Sequence, residues 1–198
     1  MPREARCLTP ADILPTPAYD KIRAEKKAAL IPVKQKRRVE VGPFATFYFE
    51  SYDTMWLQVQ EMVCIEKGGA AQIAGELEAY NPLIPQGDEL VATLMFEIDD
   101  PQRRANVLAR LGGIEETAFF DLGDGVRIGA SWERDVERTA EDGKTSAVHF
   151  LHFRFAKAEI ARFNDPAVTV VLGFAHENYA HMAVVSPASR RALAEDFA

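Results

Sequence analysis

The chain contains 198 residues, of which 47% are hydrophobic, and it carries a formal net charge of −7. We expect residues 1–198 to form a single domain, since this length and apolar content are sufficient for one buried core. No apolar run approaches the ~18 residues that span a bilayer, and the first residues do not resemble a signal peptide. A membrane protein is therefore excluded, and a cytoplasmic protein is expected.

The two cysteines and the distribution of charge indicate the compartment and the kinds of partner to expect. Cys7 and Cys64 are too few for a disulfide framework and lack metal-ligand spacing, so we expect free thiols in a reducing compartment. Residues 21–38 contain eight Lys or Arg and one Glu, whereas the remainder contains fifteen basic and twenty-nine acidic residues. We expect residues 1–38 to form a helical arm that packs on this acidic body. A patch for an anionic ligand or an acidic partner is the alternative, and nucleic acid is not expected because the acidic remainder would repel phosphates.

The first 43 residues contain two helix-start signals. Thr9-Pro10 and Thr16-Pro17 each read as an N-cap followed by proline at the first helical position. Pro15 limits the first element to a short turn, whereas the second opens a longer helix that Pro32 is expected to end or kink. Gly42-Pro43 then predicts a bend or bulge before the next strand.

Residues 44–50 predict an aromatic strand, and Asp53 is expected to cap a helix over residues 54–66. A second helix follows Gly68-Gly69 and ends at Asn81-Pro82. The remaining elements, in chain order, are a strand at 90–98, a helix from Asp100-Pro101, a hairpin of 118–122 with 126–132, a strand at 146–155, a helix ending before 164, a hairpin of 168–174 with 179–185 and a helix after Ser186-Pro187. Short strands in hairpin order, without regular strand–helix alternation, favour an α+β fold with a mainly antiparallel sheet and helices on one face and one edge.

The helix over residues 54–66 is apolar on two sides, yet it contains Gln58, Gln60 and Glu61. A buried carboxylate requires a cation or strong hydrogen-bond donors. Arg37 and Arg38, at the start of the preceding strand segment, are the expected partners of Glu61. Two hypotheses follow. The polar groups form an internal network that fixes the helix on the sheet, or they line a ligand pocket that Tyr80 and Asn81 close.

The four histidines all lie in the last third of the sequence, at 149, 152, 176 and 181. His149 and His152 would point to opposite faces of one strand, so they cannot share a metal ion. A site would need His149 with His176 or His181 and a carboxylate from elsewhere. We therefore expect no bound metal or cofactor, and we expect His149 to be a hydrogen-bonded core residue. No nucleophile motif is present, and Gly143-Lys144-Thr145 lacks the upstream glycine and the following helix of a phosphate loop.

Several short motifs together resemble a bacterial family known as domain of unknown function 3501. They are Arg37-Arg38-Val39 through Gly42-Pro43, Phe49-Glu50 with Asp53-Thr54, Gln58 to Met62, Tyr80-Asn81, Glu89 to Leu94, Gly143 to Phe150, and His176 with Asn178-Tyr179. The resemblance covers nearly the whole chain. Members often lie beside genes for rubrerythrin-like proteins and iron-sulfur oxidoreductases, which implies a redox setting. Glu177 replaces a proline that members often carry, which implies a different turn here.

These observations predict a cytoplasmic accessory or binding protein that takes a small polar or anionic ligand or a redox protein partner, with homo-oligomers allowed. The candidate ligand-binding residues are Arg37, Arg38, Gln58, Gln60, Glu61, Tyr80, Asn81, His149 and His176. The alternative is an enzyme, possibly metal-dependent, that uses Glu61 and His149 as acid/base or ligand groups.

Overall fold

The computed structural model describes residue 4, residues 6–132 and residues 145–197, so Gly143 and Lys144 lie outside the described residues. Its α-helices are α1 (Thr16–Lys36), α2 (Tyr52–Glu66), α3 (Gly69–Tyr80), α4 (Pro101–Leu108), α5 (Lys157–Asn164) and α6 (Pro187–Ala194). Its strands are β1 (Arg38–Val41), β2 (Ala45–Phe49), β3 (Glu89–Phe96), β4 (Ala118–Asp121), β5 (Arg127–Gly129), β6 (Ser131–Trp132), β7 (Val148–Arg154), β8 (Val171–Phe174) and β9 (Met182–Val184). Short 3₁₀ turns lie at Pro10–Asp12, Asn81–Leu83 and Ile114–Thr117.

The strands form two sheets in which all the described pairs are antiparallel. The first sheet has the order β1-β2-β3-β7-β6, and the second has the order β5-β4-β8-β9. The α+β class is confirmed. The expected hairpin near the C-terminus is also confirmed, because β8 and β9 pair with Gly173 opposite Met182. The division into two sheets was not anticipated from the sequence.

The main core lies between the two sheets and follows from strand alternation. On β7, His149, Leu151 and Phe153 are each 0% exposed and point inward, while the residues between them are only partly buried. Phe153 meets Phe120 of the second sheet edge-to-face, with ring centroids 4.9 Å apart. On the opposite face of the first sheet, Val91 packs with apolar residues of α2 and α3. The helical layer α1–α3 therefore covers the outer face of the first sheet.

Two local expectations were wrong, and one of the two outcomes expected for Pro32 is excluded. Ser51, not Asp53, caps α2, because its hydroxyl accepts a hydrogen bond from the Thr54 amide (3.3 Å) while the Thr54 hydroxyl accepts one from the Ser51 amide (2.8 Å). Pro32 does not end α1, which continues to Lys36; the carbonyl that loses its donor belongs to exposed Ala28 and can be solvated. The segment 126–132 does not form one strand, because β5 pairs with β4 and β6 pairs with β7.

Gly42-Pro43 lies in the turn of a β1–β2 hairpin, in which Val41 pairs with Ala45. Gly42 has a φ of +70°, and a Cβ at this position would lie 2.6 Å from the His181 ring. Both facts require glycine there. Of the helices in the described ranges, none combines the length and apolar character needed to cross a bilayer.

Candidate functional site

Glu61 pairs with α1 and not with the two arginines expected from the sequence. It accepts hydrogen bonds from Tyr19 Oη (2.7 Å), from Arg23 Nε and Nη2 (2.8 and 2.7 Å) and from Lys27 Nζ (3.1 Å). The Arg23 guanidinium, followed by the Tyr19 and Lys27 donors, lowers the pKa of Glu61 to about 2. Glu61 thus has a complete set of partners, as the internal-network hypothesis requires.

The prediction that Arg37 or Arg38 pairs with Glu61 was wrong, because Glu61 lies too far along α2 to reach either arginine. Arg37 Nη2 binds the Glu50 carbonyl, just before α2 begins. Glu61 is the tenth residue of that helix and therefore lies roughly 13 Å further along its axis. Arg38 is exposed on β1, where it pairs with Glu40 at 2.9 Å and Glu97 at 3.5 Å.

Arg37 is instead a buried cation that joins three parts of the chain. Its exposed fraction is 3%. Nε donates to the Phe49 carbonyl (3.0 Å), Nη1 to the Ala192 carbonyl (2.8 Å) and Nη2 to the Glu50 carbonyl (2.7 Å). Nη2 also pairs with Asp196, which is 8% exposed. Burial outweighs the attraction of Arg37 and raises the pKa of Asp196 to about 6.

The predicted amide residues attach the N-terminal segment to the helices. Gln60 is fully buried and makes two hydrogen bonds to the backbone of Leu14. Its side chain accepts from the Leu14 amide (2.6 Å) and donates to the Leu14 carbonyl (3.1 Å). Asn81 binds the backbone of Leu8 in the same way, accepting from its amide at 2.8 Å and donating to its carbonyl at 3.0 Å. Gln58 donates to the Tyr80 hydroxyl at 3.3 Å. These contacts join the N-terminal segment to α2 and to the end of α3, and they join α2 to α3. They do not bring Tyr80 and Asn81 to Glu61.

His149 is a core residue, as expected. Its Nε2 lies 2.9 Å from the Ser146 carbonyl oxygen and 3.1 Å from Thr145 Oγ1, and its Nδ1 lies 3.7 Å from Glu115 Oε2. It faces the core between the sheets, whereas Glu61 faces α1 beyond the outer face of the first sheet. The structure therefore separates the two residues of the enzyme hypothesis.

His176 has a structural role in the turn before β9. Its Nδ1 accepts from the Asn178 amide (3.1 Å), and its Nε2 lies 3.2 Å from the Gly112 carbonyl oxygen. In the part of the chain that the structure describes, no group of three or more His, Cys, Asp or Glu side chains is arranged to hold a metal ion.

Three cavities adjoin residues 37–63. The first, here called the Asp196 cavity, has a volume of about 520 Å³. The second, the Glu50 cavity, has about 190 Å³ and shares Arg37 with the first. The third has about 480 Å³, includes Leu30 and Trp56, and shares Tyr52 with the first. Of the nine candidate residues, Arg37 alone lines any of these three cavities.

Sequence analysis missed the residues that complete the cavities. Asp196 is 159 positions from Arg37, and no local pattern connects the two. Arg6 lines the Asp196 cavity and donates through Nη1 to the Pro85 and Asp196 carbonyls at 3.0 and 2.9 Å. Glu50, the last residue of the predicted strand 44–50 and part of the family motif, was not among the candidate ligand-binding residues, although it lines the second cavity.

Comparison with known proteins agrees with the motif resemblance. The sequence profile of a family described as "Protein of unknown function (DUF3501)" matches residues 7–197. A crystal structure of a novel protein of unknown function from Burkholderia pseudomallei K96243 is 36% identical, covers 96% of this chain and 99% of its own, and superimposes with a TM-score of 0.87. No curated protein matches significantly. The chain therefore belongs to the DUF3501 family.

Proposed function

We propose that this protein is an accessory binding module that holds a small polar or anionic ligand in the Asp196 cavity. The observation that carries the proposal is a buried ion pair, Arg37–Asp196, in the wall of a cavity of about 520 Å³. Ligand sites combine such concave space with a few convergent polar groups. The segment that the sequence singled out, residues 37–63, contributes Arg37 and the start of α2 to the same wall.

The electrostatics of Asp196 differ from those of Glu61. Hydrogen bonds and cations lower the pKa of Glu61, whereas burial raises the pKa of Asp196 to about 6 despite its arginine partner. The charged form of Asp196 is therefore incompletely stabilised by the protein. A ligand that donates a hydrogen bond to this carboxylate would supply the missing stabilisation, and perturbed carboxylates in clefts are common at functional sites.

Arg6 supports an anionic group on the same ligand. Its Nη1 group is used by two carbonyls, but its Nε and Nη2 groups make no hydrogen bond to any described residue. A guanidinium with free N–H groups in a fixed fork binds carboxylate or phosphate. The ligand class is thus a small molecule with an acidic group for Arg6 and a donor for Asp196.

The cytoplasmic location and the redox protein partner are argued from other observations. Cys7 and Cys64 are unpaired thiols, which suits a cytoplasmic protein. A redox protein partner remains a prediction from the family resemblance.

The test is calorimetric titration of the purified protein with small hydroxy acids, amino acids and phosphate esters at pH 7. We expect one class to bind with one molecule per chain, and we expect Asp196→Asn and Arg6→Lys to weaken that binding by about tenfold or more. Asp124→Asn is the matched control, because Asp124 also pairs with an arginine but is 83% exposed and lies outside the cavity. Equal binding by wild type and both cavity variants would refute the proposal, as would a lack of binding by every class.

A further inference from the structure

We infer that the Glu50 cavity is a separate site for a small α-amino acid, with the ligand ammonium group on Glu50 and the ligand carboxylate on Lys34. This cavity shares only Arg37 with the Asp196 cavity, and the inference does not depend on the ligand proposed there. Its walls comprise Lys34, Arg37, Tyr48, Phe49, Glu50, Thr54, Thr93 and Met95.

Glu50 is a half-buried carboxylate held in one orientation. Thr93 Oγ1 lies 2.7 Å from Oε1, and Thr54 Oγ1 lies 2.7 Å from Oε2, so a hydroxyl can donate to each oxygen. A carboxylate accepts about four hydrogen bonds, which leaves room for two more. Within the described ranges, no Lys, Arg or His lies within ion-pair distance of Glu50. Arg37 also lines this cavity, but its Nη2 group binds the Glu50 carbonyl and Asp196. A partly desolvated, oriented carboxylate that has no ion pair with any described residue is suited to an ammonium ligand.

Glu97, the residue that follows β3, is a carboxylate that has both hydroxyl donors and a cation as partners, so it can be compared with Glu50. It accepts from Thr46 Oγ1 (2.6 Å) and Tyr48 Oη (2.7 Å), and Arg38 lies 3.5 Å away. The Thr46 hydroxyl, then Tyr48 and Arg38, lower the pKa of Glu97 below its ordinary value. Glu97 does not line the cavity. Glu50 differs from Glu97 in two ways: it lines a cavity, and its carboxylate makes no ion pair with any residue that the structure describes. This difference assigns the ammonium group of the ligand to Glu50.

Lys34 supplies the opposite charge. It lies in the last turn of α1, it is exposed, and it lines the same cavity. Lys34 makes no ion pair with the residues that the structure describes, including Glu50. Among the described residues, this cavity thus has an anion and a cation that make no ion pair, and a zwitterionic ligand carries a charge opposite to each of them.

The size of the cavity limits the ligand. A volume of about 190 Å³ corresponds to roughly six water molecules at ~30 Å³ each. Met95 and the ring of Tyr48 provide apolar surface for a short side chain. A small amino acid such as alanine fits within this volume, whereas most of a peptide or a nucleotide would lie outside it.

The test uses L-alanine as the probe, titrated into the full chain at pH 7 with detection by ligand-observed NMR. We expect saturable binding that Lys34→Ala and Glu50→Gln each weaken by about tenfold or more. Lys34→Ala removes an exposed side chain, so the test does not depend on tolerance of a change at Glu50. Lys36→Ala and Glu97→Gln are the matched controls and should bind as the wild type does.

Methylammonium and acetate, titrated separately, should each bind more weakly than L-alanine, because each offers half of the zwitterion. Arg6→Lys should leave L-alanine binding unchanged, because Arg6 lines the Asp196 cavity and not the Glu50 cavity, and this variant separates the inference from the function proposed above. No saturable binding of L-alanine at millimolar concentration would overturn the inference. Methylammonium binding as tightly as L-alanine, or equal binding by Lys34→Ala and wild type, would also overturn it.

Discussion

Replacement of Glu61 by glutamine should destabilise the protein through the contact between α1 and α2. Glutamine keeps the shape of the side chain but removes the charge that Arg23 and Lys27 bind at 2.7 and 3.1 Å. It also weakens the acceptor of the Tyr19 hydroxyl, whose pKa is raised by burial and then by Glu61. Glu61 itself is 14% exposed, so the change takes place in a partly dry environment.

The magnitude follows from the pKa of Glu61. A pKa lowered from 4.5 to about 2 corresponds to at most about 3.5 kcal/mol at neutral pH, at ~1.4 kcal/mol per unit. Arg23 and Lys27 are 36% and 52% exposed, so solvent screening reduces the expected loss to about 2 kcal/mol. With a urea m-value of roughly 2–3 kcal/mol/M, the unfolding midpoint should fall by roughly 0.7–1 M.

The pH dependence gives the reasoning a second test. Because the folded-state pKa of Glu61 is lowered, its contribution is present above about pH 4.5 and is lost as the pH falls towards 2. The difference between wild type and Glu61→Gln should therefore shrink over that range. Glu66→Gln, in the exposed last turn of α2, is the control and should change the midpoint little. A wild-type midpoint for Glu61→Gln at pH 7, or a loss of the same size at pH 2.5, would refute the reasoning.

Three other outcomes are expected. Gln60→Leu should lower the free energy of unfolding by about 1–3 kcal/mol in urea titrations, because it removes the side-chain partner of the partly buried amide and carbonyl of Leu14; no change would contradict this. Asp196 has a raised pKa, so wild type should lose up to about 3 kcal/mol relative to Asp196→Asn as the pH rises from about 4 to about 6; parallel pH profiles would contradict it. Elemental analysis of protein purified without affinity metal should give well below one Zn, Fe or Mn per chain, and a stoichiometric ion lost in His149→Ala would reverse that expectation.

Much of the fold was predictable because its signals are local. The alternation that buries Leu90, Ala92 and Leu94 on β3 is visible in the sequence. The caps at Asp100 and Ser186 also follow from residue type, and each accepts a hydrogen bond from the amide three residues later. By contrast, β5 and β6 are separated by one residue and join different sheets. Which sheet each of these two strands joins is decided by its pairing with β4 or β7, which are distant in sequence from at least one of them.

The candidate site was predictable in location but not in composition. Residues 37–63 do adjoin three cavities, yet Gln58, Gln60 and Glu61 of α2 bond to other parts of the protein and line none of them. The identity of each partner depends on chain segments far apart in sequence, such as Arg23 for Glu61 and Asp196 for Arg37. Side-chain pairing at such separations is set by packing, which the periodicity of one segment does not contain.

The central claim is that the Asp196 cavity holds a small ligand. Native mass spectrometry of the intact chain, expressed in bacterial cells and purified by gentle steps without affinity metal, tests it most directly. The account predicts a mass excess of one small organic molecule per chain in the wild type and in Asp124→Asn, and loss of that excess in Asp196→Asn. Wild-type protein at the bare mass of the chain, or an excess that persists in Asp196→Asn, would contradict it.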